Sequence, residues 1–356
     1  MASVDYKKEL EDIIDIVISE RGSDIHLSVG SHPIIRVDGS LIPLAKKPVL
    51  TNADIAGFMK TMLSKEQEAL FDETREIDFS FAAKDGVRFR GNGYYQKGML
   101  SFALRHISNV IKNFSELALP TILESFTQRP QGFFLCVGPV GQGKSTTLAA
   151  MIELINQTRA EHIMTIEDPI EYIFEPKKSL IDQREVRVDT ADFHVGLHSA
   201  FRQDVDVIMV GEMRGRDTIS TAVTAAETGH LVFSTLHTNN AAQTIDRIID
   251  TFPAGQQDQI RVQLSGSLTA IFSQRLIPRI SGGLIPAYEL LINNSAVSNL
   301  IRERRTHEIQ TVIETGMELG MIDMNRSLVE LVQKGEITVE NAFAYSTNPK
   351  GLERLM

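Results

Sequence analysis

Cysteine, tryptophan and positive charge are all scarce in this chain of 356 residues. The single cysteine, Cys136, excludes an intramolecular disulfide and any zinc site built from several thiolates, and it fits a reducing compartment. Lys and Arg number 36 against 46 Asp and Glu, a net charge of −10, so a dominant nucleic-acid footprint is not expected, although a local basic patch stays open. No apolar run of about 18 residues occurs, and the start MASVDYKKELED lacks the basic, apolar and small-residue order of a secretory signal. The expectation is a cytoplasmic chain that does not cross a membrane by itself. Internal repeats and low-complexity tracts are missing too. What is present is ordinary for a folded protein, 42% hydrophobic and 23% charged residues, and the length favours two lobes with separate cores.

The first lobe reads as mixed. Leu10, Ile13, Ile14, Val17 and Ile18 recur at helical spacing and Gly22 follows as a stop, which predicts an opening amphipathic helix. Alternation then takes over at Ile25, Leu27 and Val29, at Ile77, Phe79 and Phe81, at Val87 and Phe89, and in a strand from Leu100 to His106. Asp38 with Gly39 and Asp85 with Gly86 mark hairpin turns. The period of two that buries Val87 and Phe89 sends Arg88 and Arg90 to the opposite face, and Arg105 ends the third candidate strand. These arginines form either a wet sheet face or a cluster aimed at phosphate.

Around residues 109–130 the strand character fades, with Pro120 and Pro130 as punctuation. From Gly132 short apolar runs (GFFLCVG, IMTI, VDVIMVG, LVFSTL) alternate with helical stretches, the pattern of βαβ units around a buried parallel sheet. Beyond about Ser295 the strands stop. Residues 301–319, 328–331 and 339–344 then read as short helices.

Within this second lobe, Gly138 to Ser145, GPVGQGKS, satisfies the phosphate-loop pattern of Gly, four residues, Gly, Lys and Ser or Thr. An apolar strand runs into it and a helix runs out of it, which aims helix-start N–H groups at an anion. Gly141 and Gly143 let the backbone curl around oxygens, Lys144 supplies a mobile cation to the β and γ phosphates, and the Ser145 hydroxyl suits Mg²⁺. Glu167, Asp168 and Glu171 follow IMTI, and Glu212 follows VDVIMVG, all at carboxyl ends of candidate parallel strands and so on the edge that carries the loop. Singly such acids are caps or wet charges; two clusters beside a phosphate loop point to hydrolysis. His237 ends the strand LVFSTL, where it can sense a γ-phosphate, and His230 precedes that strand. Cys136, inside an apolar strand, reads as a small core residue.

Joined together, GPVGQGKSTTLAAMIELIN, HIMTIEDPIEY, DQREV, VDVIMVGEMR, AAETGHLVFSTLHT and TIDRIIDTFP resemble the secretion-superfamily ATPases, and among them the type IV pilus retraction ATPases. The likeness covers nearly the whole chain and is most specific from Gly132 to Pro253. It implies an α/β fold with a RecA-like ATPase domain on a parallel-sheet core, preceded by a smaller PAS-like α+β domain and followed by short C-terminal helices. The corresponding divisions are 1–108, a linker at 109–130, 131–295 and 296–356.

The same resemblance implies ATP and Mg²⁺ as cofactors, a homohexamer, an inner-membrane platform protein as partner, and a place at the cytoplasmic face of the membrane. By motif match it assigns nucleotide binding to Gly138, Pro139, Val140, Gly141, Gln142, Gly143, Lys144, Ser145 and Thr146, to a neighbour-reaching Arg88, Arg90 and Arg105, and to His230 of a histidine box shared with His237. Glu171 becomes the water-activating base, with Glu212, Lys144 and His237 beside it in catalysis. Ser145, Glu167, Asp168 and Glu212 serve Mg²⁺, partly through water. Val140 and Gln142 depart from the family's usual Thr and Ser, and Ser298 stands where a C-terminal motif commonly has Arg, a motif that the resemblance ties to movement more than to ATP turnover. The tetracysteine element of extension-type relatives is absent, which favours retraction. An accessory retraction ATPase, a type IV secretion ATPase and, in another class, a RecA-like nucleic-acid translocase are the alternatives.

Overall fold

The structure, a computed structural model, describes residues 5–37, 39–107, 110–213 and 215–356. Asp38 of the expected turn, the expected division at 108/109 and Arg214 lie outside the described residues. The chain divides into two compact units, residues 1–110 with 171–173, and residues 111–170 with 174–356.

Among the described residues the first unit holds a six-stranded antiparallel sheet: β1 (Asp24–Ser28), β2 (Ile34–Val37), β3 (Ser40–Pro43), β4 (Glu76–Ala82), β5 (Arg88–Gln96) and β6 (Met99–Ile107), in the order β3-β2-β1-β6-β5-β4. Three helices, α1 (Tyr6–Ser19), α2 (Asn52–Met62) and α3 (Lys65–Thr74), supply apolar side chains to one core with it. Local chemistry sets their starts. The Asp5 carboxylate accepts from the Lys8 N–H, while Thr51 with Asp54 and Ser64 with Gln67 form reciprocal capping boxes that satisfy helix-start donors. The expected opening helix is α1, with Leu10, Ile13, Ile14 and Val17 buried. Alternation works as anticipated: Ile25, Ile35, Phe79, Phe89 and Leu104 are buried on one face.

The second unit is built on a seven-stranded sheet among the described residues: β7 (Gly132–Val137), β8 (His162–Glu167), β9 (Leu180–Glu185), β10 (Val207–Val210), β11 (Leu231–Leu236), β12 (Leu268–Pro278) and β13 (Leu284–Ile292). Its order is β13-β12-β7-β11-β10-β8-β9, parallel throughout except for the antiparallel edge β13. The middle strands β7, β10 and β11 are buried at every residue, as strands covered on both faces must be.

The helices in chain order are α4 (Ile122–Thr127), α5 (Lys144–Thr158), α6 (Phe193–Ala200), α7 (Arg216–Glu227), α8 (Ala241–Asp250), α9 (Ala254–Ser267), α10 (Ser295–Arg302), α11 (Ile309–Thr315), α12 (Met324–Gln333), α13 (Val339–Tyr345) and α14 (Pro349–Leu355). Phe133, Leu135 and Val137 of β7 join α7, α8 and α9 in one core, whereas Phe134 turns the other way to meet Phe126 of α4 and Phe233 of β11, at centroid distances of 5.4 and 5.7 Å. A third cluster joins Ile277 and Ile285 of β12 and β13 to Leu328, Ala342 and Leu352 of α12, α13 and α14. The fold class is the one expected, a parallel-sheet core with a smaller α+β unit before it in sequence and short helices after it. Residues 301–319 are more broken than one helix: α10 ends at Arg302, Arg304 takes a left-handed φ of 62°, and α11 starts anew at Ile309.

Candidate functional site

Parallel strands all deliver their carboxyl ends to one edge, and that topology assembles the site. β7 leads into the loop Gly138 to Gly143 and α5 leads out of it. Gly143 has φ 76° and caps α5 in a left-handed conformation that a side chain would strain; a Cβ there would also fall 2.9 Å from Gln274 Nε2. The loop is thus pressed against β12. Gln274 is nearly inaccessible and donates from Nε2 to the Gln142 carbonyl at 2.7 Å, while its Oε1 accepts from the Thr147 hydroxyl at 2.7 Å. The Gln142 side chain answers, accepting from the Leu276 N–H at 2.7 Å. Gln142, a departure from the family pattern, therefore has a definite job as the clasp between loop and sheet.

Lys144 is buried and donates to the carbonyls of Gly138 and Pro139, both at 2.8 Å. Its Nζ also lies 3.3 Å from Nδ1 of His237, whose Nε2 lies 3.6 Å from the Glu212 carboxylate. An ammonium can only donate, so Nδ1 accepts and the neutral ring carries its proton on Nε2, toward Glu212. Lysine, histidine and glutamate make one line across the ends of β7, β11 and β10. Glu167, the last residue of β8, is buried and accepts from the Thr165 hydroxyl at 2.7 Å; the adjacent strand β10 pairs Val210 with Ile166. Glu167 and Glu212 thus leave neighbouring strand ends. Ser145 is exposed on the first turn of α5, Thr146 is half-buried, and Val140 is 80% exposed, so its missing hydroxyl leaves no polar group there.

Other expected residues sit elsewhere. Asp168 is engaged by Arg187, Nη2 to Oδ2 3.4 Å. Glu171 falls with residues 171–173 in the first compact unit. His230 precedes β11 and His237 follows it, so the two rings lie at opposite ends of a six-residue strand, about 20 Å apart. The His230 ring is tied to the Ala225 carbonyl at 3.0 Å and stands edge-on to Phe201. Within one chain His230, at the amino end of β11, lies away from the phosphate loop, which follows the carboxyl end of the parallel neighbour β7.

In the first unit, pairing sets Arg36, Asp24, Arg105 and Arg90 in one row across β2, β1, β6 and β5. Asp24 binds Arg105 Nε at 2.9 Å and lies 3.7 Å from Arg36. Burial opposes its ionisation, yet the hydrogen bonds from Ser23 and Arg105 hold its carboxyl below the usual range. Arg88 is half-buried and donates to the Ser80 hydroxyl at 3.4 Å. Arg90 is exposed and its side chain makes no hydrogen bond or ion pair to a described residue. The cationic cluster is therefore partly compensated, and Arg90 is its available member.

Residues of β12 escaped the reading of the sequence altogether. Besides Gln274, the buried Arg275 donates from Nη2 to Asn239 Oδ1 at 2.9 Å, and the Ser273 hydroxyl donates to the Asn239 carbonyl at 2.9 Å. Three successive residues so fasten both the phosphate loop and the loop that follows His237. Glu289 of β13, buried, accepts from the Ala241 N–H at 2.8 Å; burial pushes its carboxyl up to about 7 against the opposing pull of that N–H and of Arg275. The signal was available as a polar triplet, SQR, inside the apolar run LTAIFSQRLIP. Cys136 is fully buried, and burial raises its thiol to about 12, which suits a packing residue.

The donor set fits magnesium. Among the described residues no three His, Cys, Asp or Glu side chains form a cage, but Mg²⁺ bound with a nucleotide needs few protein ligands, and Ser145, Glu167 and Glu212 offer only hard oxygens.

The sequence profile described as Type II/IV secretion system protein matches residues 4–283. The chain belongs to that family. Among relatives it is 43% identical over 334 residues to the type IV pilus retraction ATPase PilT of Pseudomonas aeruginosa, covering 94% of this chain and 97% of that one. With PilU, a type IV pilus ATPase of the same organism, it shares 39% over 352 residues, 98% of this chain and 91% of that one. A crystal structure of the pilus retraction motor PilT with bound ADP superposes with a TM-score of 0.91 at 46% identity, over 97% of this chain and 99% of that one. As a member of this type II/IV secretion family the chain shares its fold also with the ATPase DotB of Legionella pneumophila, at 22% identity, a TM-score of 0.79, and coverage of 97% and 96%.

Proposed function

We propose that the chain is the ATP-hydrolysing motor of type IV pilus retraction, acting as a homohexamer at the cytoplasmic face of the inner membrane on a platform protein at the pilus base. The observation that carries this reading is the line Lys144, His237 and Glu212 at the phosphate loop of a chain 43% identical to PilT. Among the described residues no helix is long and apolar enough to cross a membrane, which accords with attachment through a partner.

In this reading the loop N–H groups and Lys144 hold the β and γ phosphates, and Glu212 with His237 polarises the attacking water. Glu167, Glu212 and Ser145 would hold Mg²⁺, partly through water, and the ion would neutralise phosphate charge. Arg90, with Arg88 and Arg105, reaches the nucleotide of a neighbouring subunit, where its planar fork suits phosphate oxygens. Glu171 is the second candidate base. The domains take the proposed limits 1–108, 131–295 and 296–356 around a linker at 109–130. Nucleotide binding favours a closed arrangement and product release an open one, since only differential affinity can drive the change.

Lys144→Ala is expected to lower phosphate release under saturating Mg·ATP by more than about a hundredfold and to abolish retraction in cells that carry only this copy. Turnover retained in the purified variant overturns the site. Likeness to PilU over 98% of the chain supports a second reading, an accessory retraction ATPase. Retraction persisting at reduced force in cells lacking the chain would favour it.

A further inference from the structure

Behind Glu212 and His237 lies a cavity of about 430 Å³, within the range of small-ligand sites. It lies on the side of the sheet covered by α7 and α8, with Ile219 and Ile245 of those helices in the same core. Its lining includes Glu212, Thr235, His237, Thr238, Gln243 and Arg247, of which His237, Gln243 and Arg247 are exposed. The cavity therefore borders the Glu212 carboxylate and opens to solvent.

Part of this lining is suited to an anion. Gln243 and Arg247 stand four residues apart on one stripe of α8, whose opposite stripe, Ile245, Ile248 and Ile249, is core. The Gln243 Oε1 accepts from the Asn239 N–H at 2.8 Å, which leaves its amide N–H groups as the available donors. Arg247 has no side-chain hydrogen bond or ion pair to a described residue. Its acidic neighbour Asp246 is turned away, accepting from the Thr306 hydroxyl at 2.7 Å. The lining threonine hydroxyls are already committed, Thr235 to the Gly211 carbonyl, Thr238 to Thr244 and Thr251 to the Arg247 carbonyl. The uncommitted donors of the cavity are thus those of Arg247 and Gln243.

We infer that this cavity is the holding site and exit route for inorganic phosphate, with Arg247 as the group that receives it. The inference rests on the proposed hydrolysis of ATP. Cleavage leaves a phosphate dianion beside the Glu212 carboxylate. Arg247, a cation on the cavity wall, offsets the Glu212 carboxylate there and binds two oxygens of the ion with its fork before water takes it up. No bond is made or broken in this movement. ADP is free to leave by the loop side, so the two products part by different routes.

The test is a single turnover with purified wild type, Arg247→Ala and Arg247→Lys. Cleavage is read by acid quench and release by a fluorescent phosphate-binding reporter. In Arg247→Ala cleavage is expected to stay within about twofold while release lags at least fivefold behind it, with Arg247→Lys between the two. Added inorganic phosphate should inhibit the wild type more than Arg247→Ala. Release that keeps pace with cleavage in Arg247→Ala, or cleavage that falls as far as release, overturns the inference. No acid-quenched product in the wild type would instead sink the hydrolysis reading itself.

Discussion

The two sheets of this chain place their chemistry in different positions, and the reason is how each is buried. The antiparallel sheet of the first unit packs helices on one face, so its other face stays polar and can carry the row Arg36, Asp24, Arg105 and Arg90 across four strands. The parallel sheet of the second unit is covered on both faces, so its inner strands β7, β10 and β11 carry no charged residue, and Lys144, Glu167, Glu212 and His237 gather at the strand ends. Side-chain positions in the first sheet follow from register; in the second they depend on loops, and the loops must be fixed by something else. In this chain that something is β12.

The largest test of this contrast is Gln274→Ala. It removes the bonds to the half-buried Gln142 and the buried Thr147, so it is expected to lower ATP turnover about a hundredfold and stability by about 2 kcal/mol. Steady-state kinetics with chemical denaturation reads both. A loss no greater than that of Arg90→Ala would show that the loop does not need the strand. Next comes Arg90→Ala on the polar sheet face, expected to reduce turnover on the order of tenfold without altering the melting temperature. Unchanged turnover would return that face to a merely hydrated surface.

The smallest effect is a pair of opposite pH trends in two buried carboxylates. Burial raises Glu289 to about 7 from an ordinary 4.5, so the unfolded chain ionises it first and stability is lost as pH rises from about 4.5 through 7. Burial also opposes ionisation of Asp24, but its hydrogen bonds win and lower it from 3.8, so its contribution is present above that value and lost as pH falls through the folded value. Glu289→Gln should therefore gain a few degrees of Tm over wild type on going from pH 5 to pH 8, whereas Asp24→Asn should lose its disadvantage only in acid. Parallel pH profiles for the two variants would erase the distinction.

Much of this was legible from the sequence. Period-two alternation located β1, β4, β5 and β6 because each has one wet face, and continuous apolar runs located β7, β10 and β11 because both faces are dry. The phosphate loop was legible because its glycines and lysine are required by backbone shape and charge within eight residues. Helices α2 and α3 were passed over although Thr51 with Asp54 and Ser64 with Gln67 spell capping boxes. The site roles of His230 and Glu171 rest on the family resemblance alone, for His230 stands at the amino end of β11 and Glu171 falls in the first unit. Gln274 lies 132 residues from the backbone oxygen it holds, a separation no local pattern spans.

Strand β12 fastens both loops beside the strand ends. Its middle grips Gln142 and Asn239, while Ile277 near its end is wedged among Leu328 and its neighbours in the terminal helices. A single stiff rod therefore spans from the phosphate loop to the chain's tail. Force applied to that tail has a rigid route back to the nucleotide, and a change of grip on the nucleotide has the same route outward.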